Sequence, residues 1–385
     1  MAGEDAFVGT GPVSERHAFD AAALASWLEA HLEGFRGPLA VEMFRGGQSN
    51  PTYKLMTPAR SYVLRAKPGP AAKLLPSAHA IEREFAVMRG LAGTVVPVPR
   101  MECLCEDESV IGRAFYVMEF VPGRVLWDQG LPGMSPAQRG AIYDEMNRVI
   151  AALHTVDFAA RGLAGFGKPG NYFERQIGRW TRQYQASADG AGTMSPPGRP
   201  KGEYRSAQHG GYPIPAMERL IEWLPAHIPP AARDERRVAI VHGDFRLDNL
   251  MFHPTEPRVA AVLDWELSTL GHPLADFSYH CMAWHVPHAM TRGLGGLDLA
   301  ALGIPSEQEY MRRYCERTGL ATLDELLADW NFYLAYNLFR IAAILQGIAR
   351  RAEAGTASST QAAASGAGAR PMAELAWSYA QRAGG

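Results

Sequence analysis

Residues 241–252 read Val-His-Gly-Asp-Phe-Arg-Leu-Asp-Asn-Leu-Met-Phe, and residues 259–266 read Val-Ala-Ala-Val-Leu-Asp-Trp-Glu. Asp244 is followed, after four intervening residues, by Asn249, and fifteen residues further on Asp264 ends an apolar run. Catalytic loops that transfer phosphoryl groups space an aspartate and an asparagine in this way, with a metal-binding aspartate downstream. The pattern predicts a site for phosphoryl transfer.

The residue types suit that chemistry, which asks a protein mainly to align a hydroxyl and to neutralise the charge on phosphate oxygens. The Asp244 carboxylate can orient the attacking hydroxyl and accept its proton. The amide oxygen of Asn249 and the carboxylate of Asp264 can ligate Mg²⁺, a hard ion that prefers oxygen ligands. We therefore predict a catalytic loop at 242–249 that uses ATP and Mg²⁺. The alternative is a polar turn whose side chains bond only to the local backbone.

The sequence upstream predicts a small β-rich lobe. Strand-like runs, separated by turn residues and by one amphipathic helix, occupy residues 39–45, 52–57, 61–66, 100–105 and 114–121. Pro122-Gly123 then breaks the pattern, and the following sequence is mainly helical. We predict an α+β fold with a five-stranded antiparallel N-lobe at 1–121, a hinge at 119–123, and a larger helical C-lobe at 122–385.

The segment between the first two predicted strands contains Gly46, Gly47, Ser49 and Asn50. The glycines would let backbone N–H groups approach phosphate oxygens, and Ser49 or Asn50 could add hydrogen bonds. A pair of glycines in a hairpin also occurs as a simple turn. This loop is a candidate nucleotide-covering loop because of its position.

Two further features belong to the predicted nucleotide site. Arg65 and Lys67 share a face of the third strand, and either could pair with phosphates and with Glu84 on the following helix. Such pairs are also common as ion pairs at protein surfaces. The sequence leaves open whether Arg65 or Lys67 contacts the phosphates. At the end of the lobe, Glu119 to Val121 is where backbone groups would hydrogen-bond an adenine edge.

Composition restricts the partners. The 385 residues include 38 Lys and Arg against 40 Asp and Glu, a net charge of −2, so no global field attracts nucleic acid or an anionic membrane. Four cysteines form no disulfide or zinc pattern.

Polar residues interrupt the most apolar stretch, 332–348, which predicts a buried helix. With no apolar signal segment at the start, we expect a cytoplasmic protein.

One motif is misleading. Residues 165–170 match G-x-G-x-x-G, but no strand precedes them and they contain a proline. A dinucleotide-binding turn requires a preceding strand, so we reject that interpretation.

The runs HGDFRLDNLMFHP (242–254) and VLDWELSTLGHPLADFSY (262–279) resemble the aminoglycoside phosphotransferase and choline kinase superfamily. AIEREFAVMRGL (80–91) strengthens the resemblance, which spans roughly residues 20–383. More narrowly, the motifs are similar to kinase-like domains fused to the N-terminus of some long acyl-CoA dehydrogenases. The resemblance implies a bilobal protein-kinase-like fold and an O-phosphotransferase acting on a small-molecule hydroxyl.

The resemblance also implies roles for single residues. Arg65 falls where many relatives carry the phosphate-binding lysine, with Glu84 as its partner. His242 would fix the geometry of the loop, and Asp276 would brace it. A hydroxyacyl-CoA thioester is the implied acceptor; an aminoglycoside, an amino alcohol or a catalytically silent nucleotide-binding module are the alternatives. The oligomeric state is left open.

Overall fold

The computed structural model describes residues 9–45, 50–68, 80–188, 213–234, 236–291, 293–353 and 366–384. The chain forms two compact units, one of residues 1–167 with 242–269 and the other of residues 168–241 with 270–385. The first unit, which we call the catalytic unit, thus combines the predicted N-lobe with the predicted catalytic segment. It also takes in residues 122–167, and the lobe boundary at 121 stays a prediction.

The catalytic unit contains a six-stranded antiparallel sheet. Its strands are β1 (Thr10–Gly11), β2 (Ala40–Phe44), β3 (Thr52–Met56), β4 (Ser61–Ala66), β5 (Met101–Cys105) and β6 (Phe115–Glu119), in the order β1-β2-β3-β4-β6-β5. The last five coincide with the predicted runs. The predicted number of five was wrong by one, because a two-residue edge strand such as β1 is too short to show an alternating pattern.

Helices cover both faces of this sheet. The side chains of β4 alternate, so that Leu64 and Arg65 point to opposite faces. On the Leu64 face packs helix α1 (Ala21–His31), whose Leu24 and Leu28 join the core cluster. On the Arg65 face lies helix α2 (Ile81–Leu91), which carries Glu84. The predicted partners Arg65 and Glu84 therefore meet under the sheet.

Five short strands follow: β7 (Arg124–Val125), β8 (Ala239–Val241), β9 (Leu250–Phe252), β10 (Val259–Val262) and β11 (Thr269–Gly271). The antiparallel hairpin of β9 and β10, extended by β7, belongs to the catalytic unit. Helix α3 (Pro136–His154) also belongs there. It begins with a capping box in which Ser135 accepts a hydrogen bond from the Gln138 N–H at 3.3 Å.

The second unit is mainly helical. Its helices are α4 (Tyr172–Ala188), α5 (Pro215–Ala226), α6 (Pro273–Cys281), α7 (His288–Thr291), α8 (Leu299–Leu302), α9 (Glu307–Thr318), α10 (Leu323–Ala328), α11 (Trp330–Glu353) and α12 (Ala369–Ala383). Within α11, residues Trp330–Ala352 are long and apolar enough to cross a membrane, but 78% of the most apolar stretch is buried inside the protein. Burial of this kind is typical of the core helix of a globular unit.

We predict that Leu28→Ala destabilises the protein by about 2–5 kcal/mol, because it leaves a cavity between α1 and the sheet. Leu28 is fully buried, whereas Val95 is 71% exposed. Val95→Ala is therefore the matched control, with an expected change within about 0.5 kcal/mol. Denaturant unfolding measures both; equal effects of the two substitutions would show that α1 does not stabilise the sheet.

Candidate active site

The hairpin brings two of the predicted site residues together. Leu250 of β9 pairs with Val262 of β10, and the Leu263 N–H donates to the Asn249 carbonyl at 2.8 Å. Asn249 directly precedes β9, and Asp264 follows β10 by two residues. Fifteen residues of sequence are therefore folded back so that both residues lie at the same end of the hairpin.

His242 holds the predicted catalytic loop in place. Its Nδ1 accepts a hydrogen bond from the Asp244 N–H at 3.2 Å, and its Nε2 lies 2.8 Å from the Leu263 carbonyl. These partners require the neutral tautomer with the proton on Nε2. The ring is fully buried, with its centroid 4.8 Å from that of Trp265. The histidine therefore links the loop to the strand end before Asp264.

Gly243 allows the loop to turn between His242 and Asp244. Its φ is +82°, in the left-handed region that favours glycine. A Cβ at this position would lie 2.8 Å from the Leu267 carbonyl oxygen. Both the conformation and the close approach therefore exclude a side chain here.

The Asp244 carboxylate is contacted by Asn249 and Arg246. Asn249 Nδ2 donates to Asp244 Oδ2 at 3.0 Å and to the Asp244 carbonyl at 2.8 Å. Arg246 Nε lies 3.4 Å from Asp244 Oδ1, and Arg246 Nη2 lies 3.2 Å from Asp248 Oδ2. The side chain of Asp244 stays 20% exposed, so a ligand can reach it.

Arg65 is surrounded by acids. Its Nε lies 3.0 Å from Glu84 Oε2, its Nη2 donates to Asp264 Oδ1 at 2.8 Å, and Nη2 lies 3.8 Å from Glu266 Oε2. Burial opposes the charged guanidinium, but the acids outweigh burial and raise the pKa of Arg65. Lys67 instead pairs with Glu82. The structure thus brings Arg65, and not Lys67, to Glu84.

Glu84 is fixed from three sides. It is 1% exposed and accepts hydrogen bonds from Asn50 Nδ2 at 3.0 Å and from the Tyr116 hydroxyl at 3.1 Å. Burial raises the pKa of Glu84, and the Arg65 guanidinium acts against that effect. Asn50, predicted to contact phosphate, thus binds this carboxylate; its phosphate contact stays a prediction.

Asp264 sits in an unusual conformation. Its φ and ψ are both 63°, the left-handed region that non-glycine residues rarely occupy. Burial and the nearby Asp264 carboxylate raise the pKa of Glu266 to about 7. Backbone strain such as that of Asp264 persists only where the surrounding structure holds it, and it concentrates at functional sites.

The donor set fits a magnesium ion. Asn249 bonds to Asp244 through its nitrogen, so its oxygen is the atom that can ligate a cation. Asp264 is 33% exposed and Glu266 adds a third carboxylate beside Asp244 and Asp264. Among the residues that the structure describes, no group of three or more His, Cys, Asp or Glu is arranged as a metal site. Mg²⁺ takes ligands from phosphates and water as well as from one or two carboxylates, so it does not require such a group.

The remaining predicted residues lie as follows. Gly46, Gly47 and Ser49 fall outside the described residues. Glu119 ends β6 and its N–H donates to the Arg100 carbonyl at 2.9 Å; Val121 is partly buried and precedes the exposed residues 122 and 123. Their contact with adenine stays a prediction.

Asp276 is buried in α6 of the second unit, and its role as a brace stays a prediction. The sequence did not point to Arg246, Glu266 or Tyr116. Arg246 and Glu266 stand inside the two quoted motifs, but only the fold shows where their side chains point. Tyr116 gave no signal beyond its place in a strand.

Comparison with known proteins agrees with this geometry. The family model described as phosphotransferase enzyme family, APH, matches residues 40–314. The chain is 47% identical over 378 residues to acyl-CoA dehydrogenase family member 10 of Mus musculus, and 39% identical over 374 residues to family member 11 of Homo sapiens. These alignments cover 97% and 96% of this chain but 32% and 44% of those proteins, so the chain spans less than half the length of the relatives it matches.

Solved structures show the same fold. A chain from Ralstonia eutropha JMP134, provisionally assigned as an aminoglycoside phosphotransferase, is 59% identical with a TM-score of 0.80, covering 95% of this chain and 99% of that one. A choline kinase from Cryptosporidium parvum is 12% identical with a TM-score of 0.56, covering 95% of each chain. The second likeness shows the fold alone. The predicted α+β fold is confirmed.

We predict that Gly243→Ala costs stability and activity together, because the new Cβ meets the Leu267 carbonyl. Gly162 has φ +71°, and a Cβ added there would have no atom within 4 Å, so Gly162→Ala isolates the cost of the backbone conformation. We expect about 1–2 kcal/mol for Gly162→Ala, and at least about 1 kcal/mol more for Gly243→Ala. Equal losses in thermal unfolding would contradict the contact with Leu267.

We predict that Arg65→Gln weakens nucleotide binding about 10- to 100-fold, as expected when a hydrogen bond of about 1.5–3 kcal/mol to a charged group is lost. Lys67→Gln, on the same strand, should stay within about twofold because Lys67 pairs with Glu82. Arg65→Lys restores the charge and should recover most of the affinity. Calorimetric titration with AMP-PNP checks all three, and a larger loss in Lys67→Gln would reverse the assignment.

Proposed function

Because this chain belongs to the phosphotransferase enzyme family, we propose that it transfers the γ-phosphoryl group of ATP, with Mg²⁺, to the hydroxyl of a small organic acceptor. The family resemblance drawn from the motifs is confirmed, including the likeness to the acyl-CoA dehydrogenase relatives. The observation that carries the proposal is that one compact unit holds both the hydrogen-bonded pair Asp244 and Asn249 and the contact of Asp264 with Arg65, which itself pairs with Glu84.

Asp244 is the group that would orient the acceptor. Asn249 donates to one carboxylate oxygen and Arg246 lies near the other, so the carboxylate is held in one orientation while part of it stays accessible. A carboxylate held in this way can accept a hydrogen bond from the acceptor hydroxyl and take its proton as the oxygen attacks phosphorus. The hydrogen bond from the Asp244 N–H to His242 and the positive φ of Gly243 set the backbone of the loop, and thereby the position of the Asp244 carboxylate.

Asn249 and Asp264 would hold Mg²⁺, and the carboxylate of Glu266, which interacts electrostatically with Asp264 and Asp244, would supply a further oxygen ligand. When bound, the ion supplies positive charge that offsets the charge on the phosphate oxygens. Arg65 adds a fixed positive charge beside Asp264, and Glu84 keeps its guanidinium in place from below the sheet. Together these groups can stabilise a triphosphate through complementary charge.

Two acceptor classes have support. Relatives at 47% and 39% identity are named as acyl-CoA dehydrogenase family members, which favours a hydroxyacyl-CoA thioester as acceptor. A structure at 59% identity is provisionally assigned as an aminoglycoside phosphotransferase, which favours an aminoglycoside. We propose the hydroxyacyl thioester, because the relatives named as acyl-CoA dehydrogenase family members align over 97% and 96% of this chain, whereas the aminoglycoside assignment of the solved structure is provisional.

We predict that Asp244→Asn lowers turnover by about 10²- to 10⁴-fold while nucleotide affinity is kept, because the amide cannot accept the hydroxyl proton. Asp107→Asn, in an exposed turn of the same unit, is the control and should leave turnover unchanged. Turnover near the wild-type value in Asp244→Asn would remove Asp244 from the role of base.

We expect purified protein with ATP and Mg²⁺ to phosphorylate a hydroxyacyl-CoA, with the product detected by mass spectrometry. Aminoglycosides and amino alcohols are tested in parallel, and chelation of Mg²⁺ should abolish transfer to any acceptor. Transfer to an aminoglycoside alone would replace the proposed acceptor. Nucleotide binding without transfer to any of them would favour the catalytically silent module.

A further inference from the structure

Helix α2 makes a second polar contact beside the pair of Glu84 with Arg65. The residue before Glu84, Arg83, donates from Nη2 to the Phe166 carbonyl at 2.7 Å and to the Ser268 carbonyl at 3.3 Å. Its guanidinium also lies over the Phe166 ring, 4.4 Å from the ring centroid. All of these residues belong to the catalytic unit, and the reaction proposed above gives Arg83 no role.

Arg83 stands at an unfavourable position for the helix itself. Helix α2 begins after Ala80, which supplies no side-chain cap, and the first turn of a helix favours acids over cations. Among the residues that the structure describes, Arg83 forms no ion pair that would offset this cost. Helix stability therefore does not account for an arginine here, whereas its contacts outside the helix do.

Ser268 ends a turn of residues 264–268, which we call the Asp264 turn. The Ser268 N–H donates to the Trp265 carbonyl at 3.0 Å and closes the turn, and Ser268 is buried. Arg83 holds the Ser268 carbonyl at the far end of the turn. Arg65 holds the near end, through the Asp264 carboxylate. The Asp264 turn is therefore fixed at both of its ends.

Both contacts depend on the same helix. Glu84 reaches Asp264 through Arg65, whereas Arg83 reaches the turn directly. Successive side chains of a helix point about 100° apart, so the two contacts leave α2 in different directions. Helix α2 also packs against residues 265–267. A turn held in this way can keep the left-handed backbone conformation of Asp264.

We propose that Arg83 is a positioning residue for Asp264. By holding the Ser268 carbonyl, it keeps the Asp264 turn in the conformation in which the Asp264 carboxylate can ligate Mg²⁺. The inference rests on the proposed function, which assigns that ligand role to Asp264. In this role Arg83 acts on the backbone of the turn and makes no contact with the reacting atoms. Its loss should weaken binding of the ion and leave turnover at saturating Mg²⁺ nearly unchanged.

The first test uses Arg83→Met, which keeps an apolar stem over Phe166 and loses both hydrogen bonds. Arg89→Met is the matched control, because Arg89 is a second exposed arginine on α2. Calorimetric titration with AMP-PNP at graded Mg²⁺ concentrations gives the concentration of Mg²⁺ at half-maximal binding. We expect this concentration to rise at least about fivefold in Arg83→Met and to stay within about twofold in Arg89→Met. Equal values in the two variants would overturn the proposal.

The second test needs neither metal nor nucleotide. Amide hydrogen exchange of the metal-free protein reports opening of the Asp264 turn, because the Ser268 N–H is bonded within it. We expect residues 264–268 to exchange at least about fivefold faster in Arg83→Met, with exchange in β3 and β4 unchanged. Faster exchange throughout the catalytic unit would make Arg83 a general stabiliser and would contradict a role at the turn.

The third test is a cycle of substitutions with Asp264→Ala, which shows whether Arg83 acts through Asp264. In the Asp264→Ala background, where no carboxylate is left to position, Arg83→Met should change the Mg²⁺ requirement by less than about twofold. Effects of the two substitutions that multiply would overturn the proposal. Nucleotide binding by wild type that is independent of Mg²⁺ would instead contradict the proposed function, so the two failures are distinguishable.

Discussion

Arg65 lies between Glu84, Asp264 and Glu266, three carboxylates that would repel one another in a partly buried space without it. The same guanidinium connects helix α2, strand β4 and the turn after β10, which are distant in the sequence. Removing it would leave Glu84 buried without its charge partner, a costly state. The arrangement of the site therefore depends on one ion-pair network, and a bound cation would add to that network instead of creating it.

The second constraint is backbone geometry in the loop before β9 and in the turn after β10. Gly243 and Asp264 both have positive φ, and each turns the chain where a functional side chain must face the site. The Asp264 conformation is held by its neighbours: the Trp265 indole donates to the Val262 carbonyl at 2.9 Å, and His242 lies close to the Leu263 carbonyl. The conformation of Asp264 is thus supported by side-chain hydrogen bonds to the carbonyls of the two residues that precede it.

Much of this could be predicted from the sequence, since each predicted feature left a local pattern. The alternation of side chains predicts five strands. The spacing of Asp244, Asn249 and Asp264 predicts that they belong to one site. The choice of Arg65 over Lys67 could not be made, because both stand on one face of a strand and only the position of α2 decides which one meets Glu84. Asn50 and Tyr116 each lie more than 30 residues from Glu84 in the sequence. No local pattern therefore indicates that they hydrogen-bond to Glu84.

The presence of arginine at position 65 has a practical consequence for chemical proteomics. Nucleotide probes that acylate the amine of a strand lysine rely on a neutral, nucleophilic nitrogen. A guanidinium stays protonated at any pH a protein tolerates and does not react in this way. Surveys of nucleotide-binding proteins that rely on such labelling would pass over this chain at that position, however tightly it held its ligand.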